Sequence, residues 1–368
     1  MGVVNAAPAA SGGPTPFQIS QIKSNLLRSA SHSWELGTAT QTLLEYDWAP
    51  LSVFSTDAIP PPNPLPSNLN AKNVWDITNR VMSQRDPNSP TLMQDGSAGD
   101  PASLGVAIAL GYLTDSTSRR RSYGPAAQAQ VYFLLNKVPR APDGAISHRT
   151  EDVQLWSDSV YMVPPFLAYY GAVTKSRTVL NEAYTQIKLY RTHLLDVQKG
   201  VWRHVAEGQW HDDGLWATGN GWAAMGMLRV HQTISRSSFS QKMIREQGDL
   251  TLWARQILTG MIPYQQSNGA FCNYLDRPDT FIDSSSTALF AAAVYRLAAI
   301  TPDTSKNLLP AAEKARRWVT SDLDNYGWLK NVVNPNSFGE KGSESPEGQA
   351  FVLMMEAAYR DLQAGGFQ

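Results

Sequence analysis

HRTEDVQLWSDSVYMVPPF, residues 148–166, contains the junction that decides how the chain is organised. A loop rich in charged residues ends at Asp158, and an almost uncharged apolar segment follows. A single carboxyl group at the edge of an apolar wall is expected to have a raised pKa, which a proton donor at neutral pH requires. The alternative is that Asp158 only caps a helix that begins at Ser159. The recurrence of similar junctions along the chain favours the first interpretation.

Six junctions of this kind can be marked, each with small or turn-forming residues followed by a segment rich in Ala, Gly, Leu and aromatic residues. They lie at Trp34, Asp100, Asp158, Trp216, Asp283 and Pro346, with successive gaps of 66, 58, 58, 67 and 63 residues. Segments that are apolar nearly all round are typical of buried helices. The repeat therefore predicts an all-α fold, an (α/α)6 toroid of six helical hairpins, with all junctions opening on one face.

More amphipathic stretches lie between the junctions, as expected for helices on the outside of such a ring. Examples are Ala126–Leu135, Val179–Leu195, Leu250–Ile262 and Leu309–Val319. We predict a single toroid domain over residues 17–368 and a disordered tail over residues 1–16. The proline-rich stretch Ile59–Leu69 is expected to be a loop between the first two hairpins.

Composition limits the class of function. The chain has 42% hydrophobic and 17% charged residues and a net charge of −1, which gives no electrostatic reason to expect nucleic acid as a partner. No apolar run reaches the roughly 18 residues that a membrane span needs. One cysteine, no intact signal peptide and no glycosylation sequon favour the cytosol, although secretion stays open. We expect a monomer.

Tryptophans and acids are concentrated at the junctions. Indoles around a cavity mouth suit flat ligands such as sugar rings, whereas any single indole could simply fill space between hairpins. Two carboxyl groups across such a cavity could act as general acid and base, although helix capping explains some of them. The tryptophans are Trp34, Trp156, Trp202, Trp210, Trp216, Trp222 and Trp328, and the acids are Asp95, Asp100, Asp158, Asp212, Asp213, Asp283, Glu344 and Glu347.

Other chemistries have little support. The six histidines show no paired spacing and one cysteine cannot build a zinc site, so no metal is predicted. His148 and His204 lie on junction loops and are the better functional candidates. TGNGW at 218–222 matches no nucleotide-binding fingerprint, and no GxSxG motif supports a serine nucleophile.

Four motifs carry a family resemblance. WSDSVYMVPPFLAYYG (156–171), GVWRH (200–204), LWATGNGWAAMGM (215–227) and SPEGQAF (345–351) resemble the unsaturated glucuronyl and rhamnogalacturonyl hydrolases of glycoside hydrolase families 88 and 105. The similarity is greatest to the fungal branch of family 105 and extends from about Trp34 onward, on the six-hairpin count.

The resemblance implies an enzyme that hydrates the C4=C5 double bond of an unsaturated uronic acid at the non-reducing end of a short oligosaccharide. Asp158 would be the proton donor, with Asp100 assisting, and no metal or organic cofactor is implied. The neighbouring sugar is released when the hydrated ring opens. The substrate-binding residues would be His148, Arg149, Trp156, His204, Trp216, Thr218 and Trp222.

One position departs from the family pattern. Bacterial members usually have Arg two positions after the first tryptophan of WxRxxGW, where this chain has Thr218. Arginine can bind a carboxylate through two parallel hydrogen bonds, which threonine cannot do. Arg149 or His148 could take over this contact. Two alternatives therefore stay open, namely an enzyme on the same toroid that acts on a different intracellular metabolite, and a non-catalytic saccharide-binding protein.

Overall fold

A computed structural model describes residues 12–114 and 118–365, with the side chains of 118–120 left out. Residues 1–11 of the predicted tail lie outside this range, so the tail stays a prediction. In chain order the α-helices are α1 (Pro16–Ser29), α2 (Ser33–Tyr46), α3 (Lys72–Gln84), α4 (Gly105–Thr114), α5 (Ser118–Asn136), α6 (Ser159–Met162), α7 (Pro164–Val173), α8 (Arg177–Leu194), α9 (Ala217–Arg236), α10 (Ile244–Met261), α11 (Ser284–Ile300), α12 (Pro302–Ser305), α13 (Leu309–Ser321) and α14 (Pro346–Gln363).

The helices form two concentric rings. The inner ring consists of α2, α4 with the 3-10 turn Asp100–Leu104 before it, the α6–α7 pair, α9, α11 and α14. Successive inner helices contact each other, and α14 packs against α2, so the ring closes. Helices α1, α3, α5, α8, α10 and α13 lie outside. Each inner unit begins within one residue of a predicted junction, which confirms the all-α six-hairpin toroid.

Small residues allow the inner helices to approach closely. A Cβ atom at Gly105 would overlap the Phe166 ring, and one at Gly226 would overlap the Val160 carbonyl. The inner helices are buried along most of their length, as their nearly uniform apolar composition predicts. Among the helices of the described ranges, none is long and apolar enough to cross a bilayer.

Within the described ranges, three two-stranded antiparallel sheets lie in the loops between hairpins. The strands are β1 (Leu155–Trp156), β2 (Val205–Ala206), β3 (Phe271–Cys272), β4 (Ile282–Asp283), β5 (Val332–Asn334) and β6 (Ser337–Gly342). Strand β1 pairs with β2, β3 with β4 and β5 with β6; Trp156 lies opposite Val205, and Val332 opposite Gly342. The predicted loop Ile59–Leu69 contains only a short 3-10 turn at Ser67–Leu69. The β5–β6 hairpin was not predicted.

A buried ion cluster ties the inner helices together. Glu45 on α2 accepts hydrogen bonds from Arg229 on α9 and, at 2.8 Å, from Nη2 of Arg296 on α11. The other terminal nitrogen of Arg296 lies 2.6 Å from Asp361 on α14. Glu45, Arg229 and Arg296 are at most 3% exposed. Because α2 and α9 stand opposite each other in the ring, this cluster links helices that do not touch as neighbours.

Replacement of Glu45 by Gln is expected to destabilise the fold strongly, because two guanidinium groups would stay buried without their counter-charge. Removing one partner of a buried ion pair typically costs about 3–5 kcal/mol. Urea denaturation followed by circular dichroism measures this loss. The matched control is Asp76→Asn in the Lys72–Asp76 pair, whose side chains are 78% and 59% exposed. That change should cost no more than about 0.5 kcal/mol. A Glu45→Gln variant as stable as the control would contradict the role given to the cluster.

Candidate active site

A cavity of about 470 Å³ opens on the face where the inner helices begin. Its lining comes from distant parts of the chain, because five of the six junctions, all except the one at Asp283, contribute residues to the same end of the ring. The lining residues are His32, Trp34, Asp95, Asp100, His148, Arg149, Trp156, Asp158, Met162, His204, Trp216, Trp222, Val333, Asn334, Pro335, Asn336, Ser337, Phe338 and Glu347. Eight of the nine site residues predicted from sequence are therefore in one cavity.

Asp158 lies at this cavity and does not cap its helix. It occupies the N-cap position of α6, yet its side chain accepts no capping hydrogen bond. Its Oδ1 atom is buried and has no hydrogen-bond partner among the described residues. Burial raises the pKa of Asp158, while the positive charges of His204 and Arg149 oppose this shift. The capping alternative is thus not what the geometry shows, and the carboxyl group is available to a ligand.

Asp100 stands beside the same space. It is the first residue of the 3-10 turn Asp100–Leu104, whose N-cap is Gly99. Burial and the negative charge of Asp158 raise the pKa of Asp100 well above its usual range. Two carboxyl groups that interact in this way titrate as a pair, and the repulsion favours retention of one proton.

Glu347 is a third acid with a strongly perturbed environment. It lies in the first turn of α14, lines the cavity and is 6% exposed. Burial and the charge of nearby Glu35 raise the pKa of Glu347, whereas a hydrogen bond from Trp34 lowers it. Asp95 also lines the cavity and accepts hydrogen bonds from Ser33 Oγ and the Ser97 backbone. One side of the cavity is therefore rich in carboxyl groups.

The two junction histidines are held by different partners. His148 Nδ1 lies 3.2 Å from Ser159 Oγ, and its Nε2 lies 3.9 Å from Asp100 Oδ2. Burial and the charge of Arg149 hold the pKa of His148 well below its usual range, which favours the neutral ring. His204 Nδ1 lies 3.0 Å from Asp212 Oδ2, and its buried Nε2 has no partner among the described residues.

Asp212 fixes the orientation of His204. Its Oδ2 also accepts a 2.6 Å hydrogen bond from the Tyr274 hydroxyl, and its Oδ1 accepts one from the Gly214 backbone. Although burial alone would raise the pKa of Asp212, the hydrogen bonds from His204, Tyr274 and Gly214 lower it to about 2. The carboxylate is therefore ionised at neutral pH and holds a proton on His204 Nδ1.

Aromatic rings cover the other side of the cavity. His148 stacks on Trp156 with ring centroids 4.9 Å apart, and the Trp216 ring lies 4.4 Å from His204. The Arg149 guanidinium lies 4.8 Å above the Trp156 ring, and one of its terminal nitrogens donates to the Gly96 carbonyl. Arg149 is the one arginine or lysine among the lining residues that the structure describes.

Thr218 is the predicted site residue that the structure places elsewhere. It is fully buried in α9, does not line the cavity and donates a 2.7 Å hydrogen bond to Asp283 Oδ2. Asp283 in turn caps α11 by accepting from the Ser285 and Ser286 backbones. Thr218 is therefore part of the helix-to-helix packing, and we remove it from the candidate site.

Sequence reasoning missed the β5–β6 hairpin, whose residues 333–338 form one wall of the cavity. The Val333 backbone donates to Asp283 Oδ1 at 3.2 Å, and Asn273 Nδ2 donates to the Phe338 carbonyl at 2.8 Å. Phe338 then lies 4.5 Å from the His204 ring. The two hydrogen bonds join residues 50 and 65 positions apart, so no local pattern indicates them.

The arrangement suits proton transfer to a ligand held away from water. It combines carboxyl groups whose protonated forms are favoured, a neutral imidazole, one guanidinium and stacked aromatic faces. In the part of the chain that the structure describes, no group of three His, Cys, Asp or Glu residues is arranged to hold a metal ion.

Residues 80–351 match the family described as Glycosyl Hydrolase Family 88. The unsaturated rhamnogalacturonyl hydrolase YesR of Bacillus subtilis (strain 168) is 25% identical over 181 residues, which are 47% of this chain and 51% of YesR. The chain thus spans about half the length of this curated relative.

Solved structures show the same fold along nearly the whole chain. A possible member of the GH105 family from Klebsiella pneumoniae subsp. pneumoniae MGH 78578 superposes with a TM-score of 0.75 at 16% identity and covers 99% of this chain and 97% of its own. A possible GH105 member from Salmonella enterica subsp. enterica serovar Paratyphi A str. ATCC 9150 gives a TM-score of 0.73 at 17% identity, with 95% and 93% covered.

Replacement of Asp100 by Asn is expected to stabilise the protein increasingly as the pH rises. The unfolded chain loses the Asp100 proton near pH 4, whereas burial keeps it bound in the folded state, so wild-type stability falls with rising pH above that point. The asparagine variant lacks this loss. Thermal unfolding between pH 4 and pH 8 should show a melting-temperature difference that is smallest at pH 4. Parallel profiles for the two proteins would contradict the prediction; exposed Asp303→Asn is the control.

Proposed function

Because the chain belongs to Glycosyl Hydrolase Family 88, we propose that it hydrates the C4=C5 double bond of an unsaturated uronic acid at the non-reducing end of short oligosaccharides. The observation that carries this proposal is the Asp158 carboxyl group, which lies uncapped at the cavity in an environment that favours its protonated form. Such a group can give a proton to carbon, which an ordinary surface aspartate at neutral pH cannot do efficiently.

The proposed reaction consumes one water molecule. Asp158 transfers its proton to C4, and the positive charge that develops at C5 is shared with the ring oxygen. Water then adds at C5 and returns a proton to the Asp158 carboxylate. The resulting hemiketal opens by breakage of the bond between C5 and the ring oxygen, which leaves a ketone at C5. The hemiacetal at C1 then releases the neighbouring sugar and becomes an aldehyde.

The surrounding groups support this role for Asp158. A protonated Asp100 next to it keeps the total negative charge of the pair low before the reaction and can hydrogen-bond a substrate hydroxyl. His204, oriented by Asp212, also lines the cavity, and its Nε2 has no hydrogen-bond partner among the described residues. Trp156, Trp216 and Trp222 supply apolar surface that suits the C–H face of a sugar ring.

Arg149 is our candidate for recognition of the uronate carboxylate. It is the permanent cation of the described lining, and stacking on Trp156 together with a bond to the Gly96 carbonyl fixes its guanidinium. The absence of arginine at position 218 motivated the alternative of an unrelated metabolite. Arg149 makes that alternative unnecessary, because a carboxylate partner is available from a different loop. The unsaturated rhamnogalacturonyl activity named for YesR is the corresponding substrate class.

Narrower assignments follow as proposals. We place the chain in the family 105 branch with fungal members and expect it to act as a monomer. A non-catalytic binding protein would need no buried proton donor, so the Asp158 environment argues against it.

Replacement of Asp158 by Asn should abolish turnover while the fold is kept. General acid catalysis contributes about a hundredfold to ten-thousandfold, and a loss in kcat of at least that order is expected. The measurement is loss of ultraviolet absorbance of unsaturated disaccharides made by polysaccharide lyases acting on pectin, rhamnogalacturonan and glucuronan. Asp303→Asn, which changes an exposed carboxylate, should behave as wild type. Undiminished turnover by Asp158→Asn would remove the proposed acid, and no turnover by wild type across the panel would revive the alternative of a different metabolite.

Replacement of Arg149 by Gln should raise KM for the unsaturated uronide by roughly tenfold to a hundredfold, since a hydrogen bond to a charged group contributes about 1.5–3 kcal/mol. The methyl ester of the same substrate carries no negative charge, so its KM should change little. Arg245→Gln is the matched control, because the Arg245 side chain is 86% exposed on α10. Equal effects on acid and ester would show that Arg149 does not bind the carboxylate.

A further inference from the structure

A chain of hydrogen bonds leads from His148 away from the cavity to the outer helix α8. His148 Nδ1 lies 3.2 Å from Ser159 Oγ at the start of α6. The Ser159 hydroxyl is hydrogen-bonded to the hydroxyl of Tyr190 on α8, and Tyr190 donates a 2.6 Å hydrogen bond to the Ile146 carbonyl. All four residues are at most 4% exposed, and only His148 lines the cavity. Three of them therefore act on the cavity, if at all, through His148.

The far end of this chain is fixed by the backbone of Ile146. Its carbonyl oxygen can only accept a hydrogen bond, so the Tyr190 proton points to it. The Ile146 N–H donates at 2.7 Å to Oε1 of Gln186, which lies one helical turn before Tyr190 on α8. Two side chains of one helix thus bind both polar groups of this residue. The direction of the Tyr190 hydroxyl is therefore set before any ligand binds.

The direction of the last hydrogen bond determines the direction of the others. Each hydroxyl group has one proton. Because Tyr190 gives its proton to Ile146, its oxygen can only accept from Ser159. Because Ser159 then gives its proton to Tyr190, its oxygen can only accept from His148 Nδ1. Burial and the charge of Arg149 hold the pKa of His148 well below its usual range, so the ring carries a single proton. That proton is on Nδ1, and Nε2 has none.

The unprotonated nitrogen faces an acid. His148 Nε2 lies 3.9 Å from Asp100 Oδ2, a gap that a bridging water or a small side-chain rotation closes. Gly99, directly before Asp100, leaves room for the pair behind it, since a Cβ atom there would lie 3.1 Å from Ser159 Oγ and 3.4 Å from His148 Nδ1. The charged or titratable groups around the His148 ring are Asp100, Arg149 and His204.

We propose that Tyr190 is a positioning residue, which acts through Ser159 to hold the His148 proton on Nδ1 and to leave the Nε2 lone pair facing Asp100. A lone pair at Nε2 favours the protonated form of Asp100, because only the carboxylic acid can donate to it. A proton at Nε2 would instead donate to the Asp100 carboxylate and favour the ionised form. The consequence for catalysis rests on the proposed function, in which a protonated Asp100 assists, whereas the position of the His148 proton depends on no substrate.

NMR of protein labelled with heavy nitrogen in its histidine rings tests the proton position directly, because protonated and unprotonated ring nitrogens have well separated shifts. His148→Gln identifies the His148 signals by their loss. At neutral pH the wild type should have the proton on Nδ1. Tyr190→Phe frees the Ser159 hydroxyl to donate to Nδ1 and should move the proton to Nε2. Ser159→Ala should do the same and provides the test if Tyr190→Phe does not fold.

The matched control lies on the same helix. Tyr184→Phe also removes a 2.6 Å hydrogen bond from a tyrosine of α8, but that bond goes to Asp249 on α10, away from His148. Its His148 spectrum should be that of wild type. Since Tyr190 acts through Ser159, adding Tyr190→Phe to Ser159→Ala should change the His148 signals no further.

The kinetic consequence is a shift in pH dependence rather than a general loss of activity. With a proton on Nε2, Asp100 ionises at lower pH. The alkaline limb of kcat/KM for an unsaturated disaccharide should therefore move to lower pH in Tyr190→Phe, by roughly half a unit to one unit, as the change of one hydrogen bond predicts. KM well below that limb should stay near the wild-type value, and Tyr184→Phe should show no shift.

A wild-type His148 with its proton on Nε2, or a Tyr190→Phe spectrum identical to that of wild type, would overturn the proposal. If the proton moves but the pH profile does not, His148 does not act on Asp100, and the catalytic part is overturned. The spectra need no substrate, so failure of the proposed function is separate. If wild type turns over no unsaturated disaccharide while the proton moves as expected, the proposed reaction is wrong and the role of Tyr190 stands.

Discussion

The carboxylate of Glu45 holds the ring together at the end opposite the cavity. It binds guanidinium groups from two other inner helices, and Arg296 extends the contact to α14. Charges taken out of water are tolerated only where partners meet them with good geometry. The positions of four inner helices along their axes are thereby restricted together. Glu45, Arg229 and Arg296 each lie 12 residues after the first residue of their helix, so the same restriction aligns the beginnings of these helices, where the cavity opens.

Burial has opposite consequences at the two ends of the ring. At the closed end each charge faces a counter-charge within hydrogen-bond distance, and these pairs stabilise the arrangement. At the open end burial raises the pKa values of Asp100 and Glu347, and the negative charges of neighbouring carboxyl groups raise them further. An environment that is unfavourable for ionised carboxylates is the one in which a carboxylic acid keeps a proton to donate. Chemistry and stability therefore make different demands on similar residues.

The inner helices could be predicted from sequence because their composition is nearly uniform and recurs at every hairpin. The roles of individual junction acids could not be predicted, because they depend on which groups each carboxyl group contacts in the folded chain. Asp283 and Asp158 both directly precede a helix, but Asp283 has an extended backbone and caps α11 through two backbone hydrogen bonds, whereas Asp158 has a helical backbone and makes no side-chain capping hydrogen bond. Thr218 was misplaced for a related reason, since its direction is set by Asp283 on the neighbouring helix. The β5–β6 wall depends on contacts between distant segments that leave no local trace.

Closure of the ring by α14 against α2 has a consequence for how the protein is made. The ribosome makes α2 before α14. The surface of α2 that packs against α14 is therefore covered only after α14 has been synthesised. The cavity is likewise unfinished until Glu347 emerges, because that residue belongs to α14. A nascent chain that has already exposed Asp158 outside the ribosome thus has neither a closed barrel nor a complete lining. Catalytic competence and the final folding step arrive together.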